Sequence, residues 1–355
     1  MTHGVNATPM PERVLLAYGY EKSTTAVHLH RALADLCEVH AIGPGNQKPE
    51  AWISSDLPLI WVESPVLWYP QLALLRTRMS VAWIIDTHIR LYWRALLGSA
   101  FDHAFLAQRP AVTTVRRLGG QASWLPLSAP DHLCPPPAPF FKREFDVAFV
   151  GSVRPGSLRS QVLDHLSKRF NMAPHRYQTP AEMMATYANS RIVINIPVRD
   201  DLNTRAFEGP AAGAFLVTPQ LDGLNEVLPE GLYGAVLGRS PSNFGDAVEQ
   251  ALDLDDISER ADAACSVIRS GHTYRHRAEA MLEVLAVPAE RVRGEPSRAR
   301  ALAVAHARAG QYREIRELDS LLKVERALWT TGARIADQVR SVHASHHAKR
   351  SNDGL

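Results

Sequence analysis

The stretch Asp200–Thr218, DDLNTRAFEGPAAGAFLVT, places three side chains with binding chemistry close together. Its pattern predicts a helix that begins near Asn203 and a short apolar strand after it. A helix start offers unpaired N–H groups and the positive end of the helix dipole, which bind phosphate. Arg205 adds a forked donor suited to a diphosphate, and Glu208 can accept hydrogen bonds from ribose hydroxyls. The stretch therefore indicates a nucleotide-diphosphate site.

An ordinary alternative exists for the same residues. An arginine and a glutamate three positions apart on a helix, such as Arg205 and Glu208, form solvated ion pairs in many proteins. The elements around the stretch decide between the two interpretations, because a nucleotide site needs other binding groups at the same place.

Composition limits the classes of protein to consider. The chain has 355 residues, which favours two domains and an appendage, and its net charge of +2 argues against binding nucleic acid through phosphate neutralisation. Cys37, Cys134 and Cys265 are odd in number and far apart, so they indicate neither a disulfide framework nor a zinc site. The start MTHGVNATPMPE lacks signal-peptide features, and we expect a cytoplasmic protein with no membrane span.

The first half alternates short apolar runs with helical patterns, which is typical of a parallel sheet covered on both faces. We predict strands at Val14–Tyr20, Cys37–Gly43, Leu57–Glu63, Ser80–Asp86, His103–Ala107 and Ala122–Pro126. The prolines between Pro126 and Arg143 interrupt the pattern, because proline cannot continue a sheet ladder. We therefore assign 1–128 to a first domain and 129–144 to a linker.

A second alternating series follows, and we assign it to a second domain, 145–287. Strands are predicted at Phe145–Ser152, Arg191–Pro197 and Ala214–Thr218, with a helix after Pro180 capped by Thr179. The fold class is α/β, with two doubly wound, Rossmann-like domains facing each other. Beyond them we expect a helical extension, 288–341, and a disordered basic tail, 342–355.

Ligands of such sheets bind beyond the carboxyl ends of the strands. Gly151, the segment 195–205 and the segment 218–226 each follow a predicted strand. In the first domain His88 also follows a predicted strand, in AWIIDTH, two residues after Asp86. His88 has the chemistry to orient a sugar or to accept a proton from a hydroxyl. The alternative is that Asp86 caps a helix and His88 lies in its first turn.

Several motifs together resemble one family, the CgeB-like or spore-maturation-type glycosyltransferases. The resemblance covers about Val14–Leu285 and rests on FDVAFVGS, YANSRIVIN, DLNTRAFEGPAAGAFLVT, HTYRHR, AWIIDTH, FDHAFLAQ and SWLPL. It implies the two-domain GT-B fold, with the donor in the second domain and the acceptor in the first. It also implies transfer of a sugar from a nucleotide-diphosphate donor to an acceptor hydroxyl, with retention of configuration.

The resemblance also assigns roles to residues. Glu208 matches the second of two acidic residues, at the donor ribose, and Asp200 stands where the broader superfamily has a glutamate. Asn203 and Arg205 match an NxR element near the diphosphate, and Gly151 matches a glycine that lets the backbone approach closely. The remaining donor contacts are implied at Ser152, Arg154, Asp222, Gly223 and Leu224, with further positive charge at Arg159.

Catalysis in such a site needs stabilisation of the departing diphosphate, which preorganised donors supply. We expect Arg205 to do this, with Asp86 and His88 at the transferred sugar. No DxD motif is set to hold a divalent ion, so we expect a metal-independent enzyme without a cofactor. Two alternatives stay open: a non-catalytic nucleotide-sugar or glycan-binding assembly protein that associates through its C-terminal helices, and a nucleotide-sugar epimerase on the same fold.

Overall fold

The computed structural model of this chain describes residues 9–18, 24–42, 56–63, 79–88, 91–174 and 178–287. The predicted helical extension at 288–341 and the predicted tail at 342–355 lie outside these residues. The same holds for the predicted self-association through the C-terminal helices.

The first half folds around a six-stranded parallel sheet, as its alternating apolar runs predict. The sheet order is β2-β1-β3-β4-β5-β6. All six predicted strands are present, each ending one or two residues before its predicted run does. Their bounds are β1 Arg13–Tyr18, β2 Glu38–Ile42, β3 Leu59–Val62, β4 Ser80–Ile84, β5 His103–Leu106 and β6 Ala122–Trp124.

The second half contains a four-stranded parallel sheet with the order β10-β9-β8-β7. Three of its strands confirm the prediction: β7 (Phe145–Ala148), β8 (Ser190–Ile194) and β9 (Phe215–Pro219). The edge strand β10, Tyr233–Val236, was not predicted, because its sequence YGAV is short and contains a glycine.

Helices cover the sheets on both faces. Their bounds are α1 Thr24–Ala34, α2 Leu91–Gly98, α3 Arg109–Arg117, α4 Leu158–Leu166, α5 Pro180–Ala188, α6 Arg205–Ala211, α7 Leu224–Val227, α8 Pro241–Leu252, α9 Ile257–Gly271 and α10 Tyr274–Ala286. Thr179 caps α5 as predicted: its hydroxyl accepts from the N–H of Glu182, whose side chain accepts from Thr179 in return. Among these described helices, none has the length and apolar character that crossing a bilayer requires.

The last helix, α10, crosses back to the first half and packs against α1 and β4. Tyr274 is buried in the same apolar core as Val14 and Leu29. Arg277, also buried, donates to the carbonyls of Pro126 (2.7 Å) and Leu127 (3.0 Å), just after β6. The sequence pattern, which assigned 145–287 to one domain, does not predict this crossing. It fastens the two halves together at the end of the described chain.

Candidate functional site

Asn195 organises the carboxyl edge of the second sheet. It follows β8 directly and is fully buried, and its amide nitrogen donates to the Thr218 hydroxyl at 3.2 Å. Its carbonyl oxygen accepts from the side chains of Asn203 (3.0 Å) and Arg205 (3.2 Å). Because buried amides need their partners, Asn195 fixes where the NxR element lies.

The Arg205 guanidinium lies under the loop that follows β7. Its Nη2 donates to the carbonyl of Val150 at 2.6 Å, and its Cζ lies 4.3 Å from the centre of the Phe149 ring. Only 8% of the residue is exposed. A Cβ at Gly151 would lie 2.6 Å from Nη2, so the arginine fits here because residue 151 has no side chain.

A second arginine, Arg159 of α4, reaches the same edge. It donates to the carbonyls of Ile196 (2.8 Å) and Ser152 (3.1 Å), and its Cζ lies 5.5 Å from the Phe149 ring centre. Burial, and after it the positive charge of Arg205, lowers the pKa of Arg159. Among the described residues neither guanidinium has an ion-pair partner. Two cations therefore stand close together without a direct ion pair, and the nearby carboxyl of Glu208 interacts electrostatically with Arg205.

Glu208 lies one turn into α6 and is partly buried. Burial raises the pKa of its carboxyl to about 7, against the opposing effects of the Arg205 charge and a hydrogen bond with Thr204. The Asn203 side chain accepts from the backbone N–H of Arg205 at 3.1 Å. Asn203, Arg205 and Glu208 thus surround the start of α6, as their spacing predicts.

The loop after β9 lies against the first half of the protein. Gly223 has φ +80°, and a Cβ there would lie 2.6 Å from the indole of Trp124. The guanidinium of Arg109 stacks on that indole at 4.3 Å and pairs with Glu226 at 2.6 Å. The hydrogen bond to Glu226 raises the pKa of Arg109, and the charge of the exposed Asp222 adds to that rise. Leu224, by contrast, is buried in the apolar core.

On the first half, a buried carboxylate shapes the loop that carries Asp86 and His88. Glu63, which follows β3, accepts from the backbone N–H groups of Ile85 (2.8 Å) and Asp86 (2.9 Å) and pairs with Arg94. Burial raises the pKa of Glu63, while the Arg94 charge opposes that rise. The carboxylate thus fixes the path of the chain between β4 and His88.

His88 lies beside a carboxylate from the second half. Its Nδ1 is 3.6 Å from Oδ1 of Asp201, and the Arg199 guanidinium donates to its carbonyl at 3.4 Å. Gln108, which follows β5, donates to the same Oδ1 at 2.8 Å. These contacts join the two sheet edges.

Asp200 and Asp201 point toward different neighbours. Arg199 and Asp200 both have left-handed backbones, with φ of 55° and 57°. Asp200, which matched the first acidic residue of the family pair, is exposed and pairs with Arg239 of its own half. Asp201 is instead buried and reaches the first half. No pattern in the sequence singles out Asp201.

The structure brings some of the predicted site residues together and separates others. Gly151, Asn203, Arg205 and Glu208 gather at the end of the second sheet, with Ser152 and Arg154 exposed in the adjoining loop. Asp222, Gly223 and Leu224 follow β9, and Asp86 and His88 lie on the first half. Sequence reasoning missed Glu63 and Gln108, and it placed Asn195 and Asp201 at the sheet edge only as members of the segment 195–205. Glu63 and Asn195 directly follow β3 and β8, and Gln108 lies two residues after β5, so position after a strand end is the signal that identifies them.

A metal site would need several acidic, histidine or cysteine ligands in one place. Within the described ranges no group of three or more such residues is arranged to hold an ion. The three cysteines are free thiols.

Comparisons with known proteins agree with this architecture. Residues 141–283 match the model of a family described as glycosyl transferase-like. No curated protein matches the sequence. Sucrose-phosphate synthase of Thermosynechococcus elongatus superposes with a TM-score of 0.57 at 10% identity, covering 77% of this chain and 98% of that one.

Two further solved structures show the same likeness. A structure of OtsA gives a TM-score of 0.54 at 11% identity, covering 78% of this chain and all of that one. A glycosyltransferase from Rickettsia africae gives 0.50 at 9% identity, covering 77% and 98%. Identities this low establish the fold alone. The fold is GT-B, with two Rossmann-like halves built on parallel sheets.

Proposed function

We propose that this protein is a glycosyltransferase that moves a sugar from a nucleotide-diphosphate donor to an acceptor hydroxyl. The match of residues 141–283 to a glycosyl transferase-like family and the GT-B fold support the reaction class. Membership of the narrower CgeB-like group is part of the proposal and rests on the motifs quoted above.

The observation that carries the proposal is the pair of guanidiniums at the end of the second sheet. Arg159 and Arg205 flank the Phe149 ring, and burial with mutual repulsion lowers the pKa of Arg159. Arg205 is buried and Arg159 is partly buried, and guanidiniums removed from water without a direct ion pair favour the binding of an anion. The diphosphate of a nucleotide sugar is an anion of that charge and size.

In the proposed reaction the acceptor oxygen forms a bond to the anomeric carbon of the donor sugar. The bond from that carbon to the diphosphate oxygen breaks, its electron pair stays on that oxygen, and the proton of the acceptor hydroxyl is transferred to the departing diphosphate. Arg159 and Arg205 stabilise this developing charge, because they already lie in place and need no reorganisation. Stabilisation by these two cations removes the need for a divalent ion, so we propose metal-independent transfer.

The other residues bind the remainder of the donor. We propose that Glu208 contacts the ribose, and that Gly151 and Ser152 let the backbone approach the diphosphate. Asp222 and Gly223, in the loop against Trp124, close over the donor from the other side. His88 and Asp86 of the first half face the transferred sugar. Retention of configuration comes from the family resemblance and belongs to the proposal.

Release of nucleoside diphosphate tests the proposal. The native chain is incubated with a panel of nucleotide sugars, with and without candidate acceptors, and compared with Arg205→Ala and Glu208→Ala. We expect release with one donor class and a large loss in both variants. If neither variant alters release or binding, the site is wrong.

The same assay addresses the alternatives. Binding of a nucleotide sugar without any turnover would support a non-catalytic binding protein, in which Arg205 serves only to hold the Val150 carbonyl. Isomerised donor without an acceptor product would support an epimerase. NMR of the product's anomeric proton decides between retention and inversion.

A further inference from the structure

Asp201 is a buried carboxylate of the second half whose side-chain contacts are with the first half. Its Oδ1 accepts from Gln108 at 2.8 Å and lies 3.6 Å from Nδ1 of His88. Asp201 is 8% exposed. Burial raises the pKa of its carboxyl, the His88 charge and the Gln108 hydrogen bond lower it, and the nearby charge of Asp86 adds to the rise.

Gln108 holds the His88 loop and Asp201 in one network. Its side-chain oxygen accepts from the backbone N–H (2.9 Å) and the hydroxyl (2.6 Å) of Thr87. Its amide nitrogen donates to the carbonyl of Ile85 at 2.7 Å as well as to Asp201. Because every group of this amide is used, the position of Asp201 relative to His88 is fixed from the first half.

The backbone before Asp201 is strained in a way that directs it. Arg199 and Asp200 are consecutive left-handed residues without being glycine, a conformation that L-residues rarely adopt. Such strain persists where contacts over-determine it. Here Arg199 donates to the His88 carbonyl and Asp200 pairs with Arg239, so the turn sends the next carboxylate, Asp201, across to the first half.

We propose that Asp201 is a positioning residue for His88: it accepts the Nδ1 proton of the imidazole and thereby fixes both ring orientation and tautomer. Nε2 is then the unprotonated nitrogen, ready to accept a hydrogen bond from a hydroxyl. The 3.6 Å separation shortens to a hydrogen bond in the loaded enzyme, as contacts of this kind do. This role rests on the proposed glycosyl transfer. It makes the orientation of the His88 ring depend on contact between the two halves of the protein.

The hydroxyl that donates a hydrogen bond to Nε2 belongs either to the donor sugar or to the acceptor. The two sources are distinguished by hydrolysis of the donor in the absence of acceptor. If the hydroxyl is on the donor sugar, His88→Gln lowers hydrolysis and transfer alike. If it is on the acceptor, the variant lowers transfer alone.

The tautomer itself is the first test, and it needs no activity. Full-length protein labelled with 15N-histidine is measured by NMR at about pH 8, above the ordinary histidine pKa, and the His88 signals are assigned with His88→Gln. We expect a protonated Nδ1 in the native protein and a mixture of tautomers in Asp201→Ala. Asp201→Asn, which keeps the side-chain shape, gives a smaller change and serves if the alanine variant does not fold.

Glu226→Ala is the matched control, because the Arg109–Glu226 pair also joins the two halves without touching His88. We expect it to keep the native tautomer of His88. The proposal is overturned if the tautomer is unchanged in the folded Asp201 variants, or if Glu226→Ala changes it equally.

Kinetics supply a second, independent test. Asp201→Ala should lower kcat by about a hundredfold through misplacement of the ring, with the donor KM little changed. Because Asp201 acts through His88, adding Asp201→Ala to His88→Gln should cause no further loss. Additive losses would refute the positioning role. If no donor turns over at all, the glycosyltransferase proposal fails. The tautomer measurement still tests whether Asp201 orients His88.

Discussion

Replacing Gly151 with alanine should weaken donor binding, and because Gly151 has φ +157° the variant also carries backbone strain. The new Cβ would lie 2.6 Å from Nη2 of Arg205. Ordinary contacts between heavy atoms are about 3.5 Å or longer, so the guanidinium must retreat by about 1 Å. Its hydrogen bond to the Val150 carbonyl, now 2.6 Å, would then exceed normal hydrogen-bond length.

The magnitude follows from the interactions lost. A hydrogen bond to a charged group contributes about 1.5–3 kcal/mol. If Arg205 no longer reaches the diphosphate, the dissociation constant for a nucleoside diphosphate should rise by roughly ten- to a hundredfold. Calorimetric titration of the native and Gly151→Ala proteins measures this directly.

Gly156→Ala is the matched control in the same loop. Gly156 has φ +73°, and a Cβ there would meet nothing within 4 Å. The variant should lose about 1–2 kcal/mol of stability from backbone strain, yet bind the nucleotide as the native protein does. Equal weakening by the two variants would refute the reasoning, because it would show that loop stiffness rather than Arg205 controls binding.

Three further expectations concern charge. The pKa of Glu208 is about 7 in the folded state against 4.5 in the unfolded state, so the free energy of unfolding should fall by about 3 kcal/mol as pH rises between these values. Denaturant titrations of Glu208→Gln should show a smaller dependence of that free energy on pH. Burial, with the His132 charge, lowers the pKa of His28 to about 4 from 6.5, so folding stability should fall as pH drops from 6.5 to 4, and His28→Gln should lessen that fall; an unchanged acid profile would contradict it. Sugar transfer should persist at full rate in excess EDTA, and a loss restored by Mg²⁺ or Mn²⁺ would contradict metal independence.

The sequence predicts the sheets well because buried parallel strands are near-continuous apolar runs. It overestimates their length, as at Ala122–Pro126 against Ala122–Trp124, since apolar residues continue beyond the end of the strand. It does not show that α10 packs on the first half. Apolar periodicity identifies the face of a helix that is buried, and carries no information about which sheet buries it.

The site shows the same limit. The spacing of Asn203, Arg205 and Glu208 predicts their gathering at one helix start, and the structure places them there. The choice between Asp200 and Asp201 depends on two left-handed backbone positions, and neither residue there is a glycine that would signal them. Likewise Asn195 looks like a polar interruption of an apolar strand. Its hydrogen bonds to Thr218 and Arg205 form only in the folded protein, so the sequence does not show them.

The central claim is that Arg159 and Arg205 hold a diphosphate, and its most direct test compares ligands that differ only in phosphate. Nucleosides and their mono- and diphosphates, across the common bases, are titrated into the native protein and into Arg159→Gln and Arg205→Gln. The account predicts that the diphosphate of the preferred base binds at least about tenfold more tightly than its nucleoside, and that either substitution removes most of this gain. A diphosphate that binds no better than its nucleoside, or a gain that survives both substitutions, would contradict it.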